Sequence, residues 1–453
     1  MESETIDTTS EIKSYKVRWL ILIVASLSAT LRAFCQSCFS QISNVLARLL
    51  KVQLWQIDWL VVNQSICFIL LTLPIAWITE QVGFRKSFII VTGLLCVAFS
   101  LLILGVSVER GYYLLLFGQV LLGCNITFGY AVLPLVSSIW FPSNEVASAI
   151  AIQFCSRGIG EALGSFTTPL LVNIHQSNAV VSFRLTMLFV PFVILSVVSL
   201  LVSYAFVPDS PPLPPSLAQM KKQIGSAKIH TSIHESLRLN FFKVKALFSS
   251  PSFVVITTAT GLVNPVFRVY TILLSSMLRK EFAGEPGLNQ VSGYLLSVAW
   301  IFYTIAALLT GPVITKTKKY RAILAFSAFI QLVAQLSIVI GMRLKLRALI
   351  YPAVLLLGAG AGMTETSLTE LSVEITYPLE PSLVSSVNLI AMGCFRLIYS
   401  VVSRALLDKY GATASTLPEP ILVTIGFILI ISIPMRFKRM EADTPESVPL
   451  LIE

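Results

Sequence analysis

The run Ser252–Leu278 (SFVVITTATGLVNPVFRVYTILLSSML) carries a single charge, Arg268, a little past its middle. A helix rises about 1.5 Å per residue, so this run is long enough to cross a bilayer core. The apolar stretch that opens at Val17 repeats the plan, with Arg32 at nearly the same depth from its start. Two arginines at matching depth, each in the opening helix of a half-chain, predict a two-fold design. An arginine at mid-bilayer costs about 2.5–3.5 kcal/mol even on the lenient insertion scale, unless it meets a wet cavity or an acid. The path of any solute through such a bundle is therefore expected to pass these two side chains.

The remaining chain fits a polytopic membrane protein. Of 453 residues, 55% are hydrophobic and only 12% charged, which excludes an ordinary soluble domain. The net charge of +10 does not point to nucleic acid, because the basic residues sit in short loops. Twelve apolar segments can be counted, so the expected fold is all-α, with twelve transmembrane helices in two pseudo-symmetric six-helix bundles. The expected boundaries are a tail at 1–16, a first bundle at 17–207, a linker at 208–251, a second bundle at 252–436 and a tail at 437–453. The linker opens on a proline cluster, and its basic second part reads as a helix lying on the membrane surface. Placing both termini in the cytoplasm puts more than half of the 33 basic residues inside, as the positive-inside rule requires. The N-terminus is acidic and polar and reads as no cleaved signal peptide.

Short motifs narrow the class. The connection Glu80-Gln-Val-Gly83-Phe-Arg85-Lys86 joins an acid, a turn-forming glycine and a basic pair. It resembles the signature loop of the major facilitator superfamily, whose pattern has aspartate where this chain has Glu80. The resemblance implies that Glu80, Gly83 and Arg85 form a cytoplasmic latch, with a gating role. The matching loop of the second half, from Gly311 to Lys319, keeps glycine and basic residues but lacks the acid. Trp140-Phe141-Pro142-Ser-Asn-Glu145, Thr369-Glu370-Leu-Ser-Val-Glu374, Ile42-Ser43-Asn44-Val45 and Ile57-Asp58-Trp59-Leu60 resemble the feline leukaemia virus subgroup C receptor-related family. That likeness runs from about Arg18 to the twelfth segment. It implies alternating-access transport of choline, ethanolamine or a haem-related solute, and a gating or packing role for Glu370 and Glu374.

One departure bears on the cargo. Choline carriers of that family hold the ammonium between a tryptophan of helix one and a tyrosine of helix seven, by cation–π attraction. Aligned on the motifs, this chain has Gln36 and Arg268 there. Either the cargo is anionic or zwitterionic, or Phe34, Phe39 or Tyr270 supplies the cage. Glu365, deep within helix ten after the Gly358-Ala-Gly360-Ala-Gly362 run, is expected to counter Arg268 or Arg32, or to carry a proton; neutralisation by some other neighbour is the bland reading. Asn125 lies in a cavity-lining helix, and bonding to a neighbouring helix is its bland reading. Arg157 and Glu161, four apart, read as an ion pair on one helix face, and Arg396 reads as structural. The expected path residues are thus Arg268, Arg32, Gln36, Asn125 and Glu365.

Other chemistry finds no purchase. Cys35-Gln-Ser-Cys38 has ligand spacing but no following histidine, and His230 and His234 read as a solvated helix face, so no metal or cofactor is expected. No nucleotide-binding or catalytic-triad pattern is present, so an enzyme is not expected. Glu446, Leu450 and Leu451 resemble an acidic dileucine signal read by sorting adaptors, which leaves the plasma membrane and the endosomal or lysosomal membrane open. There are two competing readings. One is a carrier for an organic anion or zwitterion working through Arg268 and Arg32, with proton coupling through Glu365 left open. The other is a receptor that binds without transporting. The chain is expected to act as a monomer.

Overall fold

The computed structural model describes residues 15–142, 145–213, 242–376, 379 and 381–432, without the side chains of Glu80, Leu133, Pro134, Ala147 and Thr315. The side chain of Glu80, both histidines of the linker, and Glu446, Leu450 and Leu451 lie outside the described residues. Every regular element among the described residues is a helix. In the first half these are α1 (Val17–Gln41), α2 (Ser43–Leu50), α3 (Leu54–Val82), α4 (Phe84–Ser107), α5 (Tyr112–Trp140), α6 (Val146–Leu171) and α7 (Asn178–Phe206). The second half has α8 (Pro251–Val263), α9 (Pro265–Glu281), α10 (Leu288–Thr317), α11 (Tyr320–Leu344), α12 (Arg347–Thr376), α13 (Pro381–Tyr410), α14 (Ala412–Thr416) and α15 (Pro418–Ser432).

Eleven spans among the described residues are long and apolar enough to cross a membrane, with α8–α9 and α14–α15 each counted as one. The twelfth is α6, whose central Arg157 and Glu161 depress its hydropathy. How much of each span is buried sorts the helices by position. In α8–α9, 78% of the apolar window is buried, against 22% in α7. The first therefore runs through the middle of the protein, while the second presents its apolar face to lipid.

Two of the expected segments are broken, for reasons visible in the sequence. Proline at 265 has no N–H to donate and its ring crowds the preceding turn, so the seventh span divides into α8 and α9 with Asn264 between them. The twelfth opens at Pro418 and is preceded by the short α14. The first segment ends at Gln41; the chain turns at Ile42 and continues as the short α2.

The halves meet along two lateral seams, α6 against α10 and α3 against α13. Glycine makes the first seam close. A Cβ added at Gly293 would strike the backbone of Ser165 and the ring of Pro169, and one at Gly158 would strike Thr304. The Gly358–Gly362 run serves close packing: Gly358 and Gly362 lie against the α10 backbone, and Gly360 against Gln331 of α11.

Candidate functional site

Midway along the bundle, α6 faces the second half with one residue of each sign. Arg157 and Glu161 do not satisfy one another, which corrects the expectation of an ion pair along the helix. Glu161 instead accepts from Nη1 of Arg268 on α9 at 3.1 Å, with both side chains buried. Arg157 lies 3.9 Å from Glu365 of α12 and donates to the Tyr130 hydroxyl at 2.7 Å. Spacing alone favoured the local pair because residues four apart share a face. Here that face is the seam itself, so each charge finds its opposite across it.

Glu365 also accepts a hydrogen bond from the Tyr303 hydroxyl. The cation beside it is Arg157, in place of the expected Arg268 or Arg32. Arg268 stacks over the Trp300 ring at 4.3 Å and near that of Tyr303 at 5.7 Å. Desolvated guanidinium–aromatic contacts of this kind contribute about 2 kcal/mol. The aromatic surroundings of Arg268 are thus already engaged by its own guanidinium.

Two cavities adjoin these groups. The first, about 60 Å³, is bordered by Arg32, Tyr130, Arg157 and residues of α1, α4, α5 and α6. Arg32 donates to Asn125 Oδ1 at 3.0 Å, and Asn125 in turn donates to the Val91 carbonyl at 2.6 Å. Asn125 thus holds Arg32 in place from behind and does not itself line the cavity. The second cavity lies between the halves. At about 20 Å³ it has room for little more than a water molecule. Gln36, Gln64, Phe68, Tyr130 and Arg157 of the first half border it, with Pro265, Arg268, Leu389, Met392 and Arg396 of the second. Tyr130 and Arg157 belong to both cavities, so Arg32 and Arg268 look into adjoining voids.

Of the five expected path residues, Gln36 and Arg268 therefore border one cavity and Arg32 the next, while Asn125 and Glu365 each contact an arginine. Arg396, read from the sequence as structural, donates to Gln64 at 3.0 Å and to the Val61 carbonyl at 3.3 Å while bordering the cavity. Gln36 also bonds Gln64. Phe34 and Phe39 pack on Phe192 and Phe189, and Tyr270 is fully buried in the core. None of these three borders either of the two cavities; the aromatic pair at the second is Phe68 and Tyr130, edge to face with centroids 5.9 Å apart. Tyr130, Tyr303 and Trp300 carried no signal in one sequence, since aromatic residues in apolar helices usually fill core.

The Major Facilitator Superfamily model matches residues 25–395. The chain belongs to this superfamily. A choline/ethanolamine transporter of Danio rerio, flvcr2a, is 23% identical over 97% of this chain and 91% of its own length. FLVCR2 of Rattus norvegicus is 24% identical over 97% and 78%, and FLVCR1 of Felis catus 25% over 93% and 73%. Among solved structures, a D-xylose–proton symporter superposes with a TM-score of 0.71 at 13% identity, covering 92% of this chain and 98% of the other. A bacterial homologue of the human lysosomal transporter Spinster gives 0.66 at 12%, covering 92% and 96%. The resemblance read from the motifs is borne out, and the chain is a multi-pass membrane transporter.

In this facilitator the motifs sort by face. On the face opposite the termini, Asp58 accepts a two-pronged bond from Arg404 of α13, one branch at 2.8 Å. Arg279 donates to Ser43 at 3.2 Å and to Asn289 at 2.7 Å, and Asn289 donates to Asn44 at 2.9 Å. Ser43, Asn44 and Asp58 of the family-like motifs are thus all in one seal between the halves. On the termini face, Gly83 adopts φ +82°, which a side chain disfavours. Among the described residues an acid beside the latch is Asp209, whose Oδ1 accepts from the Arg85 amide at 3.0 Å, while the Arg85 guanidinium donates to the Tyr204 carbonyl at 2.9 Å. In the second half, Glu370 of α12 lies beside Gly311, which brings an acid to the loop that lacks one in sequence. Glu374 is buried at the same end of α12.

Proposed function

We propose that this facilitator carries a small amine-bearing alcohol or related solute of the choline and ethanolamine class through the cavity between its halves. The cavity's own wall supports the reading. Phe68 and Tyr130 give an aromatic face for an alkylammonium, Gln36 and Gln64 give amides for a hydroxyl, and Leu389 and Met392 give apolar contact. The names of the relatives point the same way and favour an amine over a plain organic anion. The cavity is closed down to water size, so the cargo enters as the halves rock apart. Arg268–Glu161 and Arg157–Glu365 cross the seam and must separate or slide in that motion. With both termini cytoplasmic, as the basic loops indicate, the sealed face is the outer one and the Arg85 latch acts on the inner side. Glu370 and Glu374 are assigned to the inner gate with it. The chain acts as a carrier and not an enzyme or receptor, functions as a monomer, and is sorted through Glu446, Leu450 and Leu451.

The test is uptake of labelled choline and ethanolamine by the purified protein in proteoliposomes, with an organic-anion panel as competitor. Saturable amine uptake, weakened at least tenfold by Tyr130→Ala, supports the assignment. Binding without flux, or flux of the anions alone, rejects it.

A further inference from the structure

The charges around the cavity do not balance. Four guanidiniums, Arg32, Arg157, Arg268 and Arg396, share the middle layer with two carboxylates, Glu161 and Glu365. Three of the four arginines border the cavity between the halves. Each of those three keeps one buried donor nitrogen with no acceptor among the described residues: Nε of Arg157, Nη2 of Arg268 and Nε of Arg396. Buried donors are ordinarily paired, and an orphaned charged one is costly. A bare ammonium entering this layer would add a third uncompensated positive charge at low dielectric. The same wall offers planar, multiply donating guanidiniums, which suit carboxylate and phosphate oxygens.

We propose that the Arg157, Arg268 and Arg396 wall is an oxyanion subsite. It seats a carboxylate or phosphate group while the amine lies against the Phe68 and Tyr130 rings of the same cavity. The oxyanion is either part of a zwitterionic cargo or a separate small anion that enters with the amine. This assignment rests on the transport reading above for the amine half only. An anion next to Arg268 competes with Glu161 for its guanidinium, so filling the subsite loosens a bond that ties the halves together. Anion occupancy and rocking are then linked through one side chain.

The experiment uses the full chain in proteoliposomes, with three probes: choline, phosphocholine as an amine and phosphate in one molecule, and inorganic phosphate. If the cargo carries the oxyanion, phosphocholine inhibits choline uptake at a concentration at least tenfold below that at which unlabelled choline does. If the anion is separate, adding phosphate in place of gluconate raises choline uptake at least threefold, and labelled phosphate is retained with it. Either result supports the subsite. Arg396→Gln removes the tenfold preference or the phosphate stimulation, and Arg396→Lys restores part of it. Arg268→Lys, which keeps a charge at the seam, gives a second reading if Arg396→Gln does not fold. Choline uptake indifferent to phosphate and to phosphocholine, in the wild type and in both variants, overturns the proposal. Phosphocholine uptake without any choline uptake sinks the bare-amine reading and leaves the oxyanion subsite standing.

Discussion

At the face opposite the termini, Asp58 of the first half meets Arg404 of the second, and Ser43 and Asn44 are tied through Arg279 and Asn289. At the termini face, Arg18 meets Glu145 at 3.1 Å and Arg85 meets Asp209 and Tyr204. The first set joins two bodies; the second holds one body together. Rocking of the halves must break the former, whereas the latter travels with its own bundle. The middle-layer pair Arg268–Glu161 is of the first kind, and at 7% and 2% exposed it contrasts with Glu145 of the second kind, which is 35% exposed. Where a bond crosses the seam without water, its loss changes both stability and conformation. Where it lies within one half and near solvent, its loss changes little.

The middle layer breaks that comparison most severely. Glu161→Gln leaves Arg268 buried beside no carboxylate, and removing one partner of a buried pair costs about 3–5 kcal/mol. The thermal unfolding midpoint in detergent should fall sharply and uptake should vanish. Pairing Glu161→Gln with Arg268→Gln should recover much of the stability but not the transport. If the single variant unfolds like the wild type, the seam bond is not what holds the halves.

The seal comes next. Asp58→Asn deprives Arg404 of a carboxylate but leaves it Ser276 and the nearby Asp408, so the expected cost is about 2 kcal/mol, the low end for a desolvated hydrogen-bonded pair. A cost of that size exceeds what a tenfold shift in an equilibrium requires. Labelling of a cysteine placed at Ser43 by a membrane-impermeant maleimide should therefore rise at least tenfold. Unchanged labelling would remove Asp58 from the seal.

Glu365→Gln should act more mildly, at about 1 kcal/mol, the size of one ordinary hydrogen bond. An amide still accepts from Tyr303, and Arg157 keeps Tyr130. A few-fold drop in uptake rate and a small fall in the unfolding midpoint are expected, and complete loss of uptake would point to a proton-carrying role instead. Smallest of all, Glu145→Gln should shift stability by about 0–1 kcal/mol, as for solvent-screened pairs. A midpoint change as large as that of Glu161→Gln would overturn the division between seam and single-half bonds.

Much of this was legible in the chain, for local reasons. The length and polarity of each apolar run follow from bilayer thickness, so the spans, the two-fold plan and the buried arginines Arg32 and Arg268 could be read directly. Pro265 announced its helix break, because a missing N–H is a property of one residue. Pairing was another matter. Arg157 and Glu161 offered a local solution that the packing declined, and Arg396 looked structural until Gln64 of the other half came beside it. Asp209 stands four helices downstream of Glu80, beyond the last helix of the first bundle, so nothing in the loop motif pointed to it as an acid beside Arg85.

The sequence by itself determined that this is a helical membrane facilitator with charges it cannot leave in lipid, since burying those groups has a cost set by composition and depth alone. Only the tertiary structure decided which acid answers which arginine, and which donors are left over. Those choices depend on two helix faces meeting at a fixed distance, and that distance is set by small residues such as Gly158 and Gly293, where any side chain would push the helices apart.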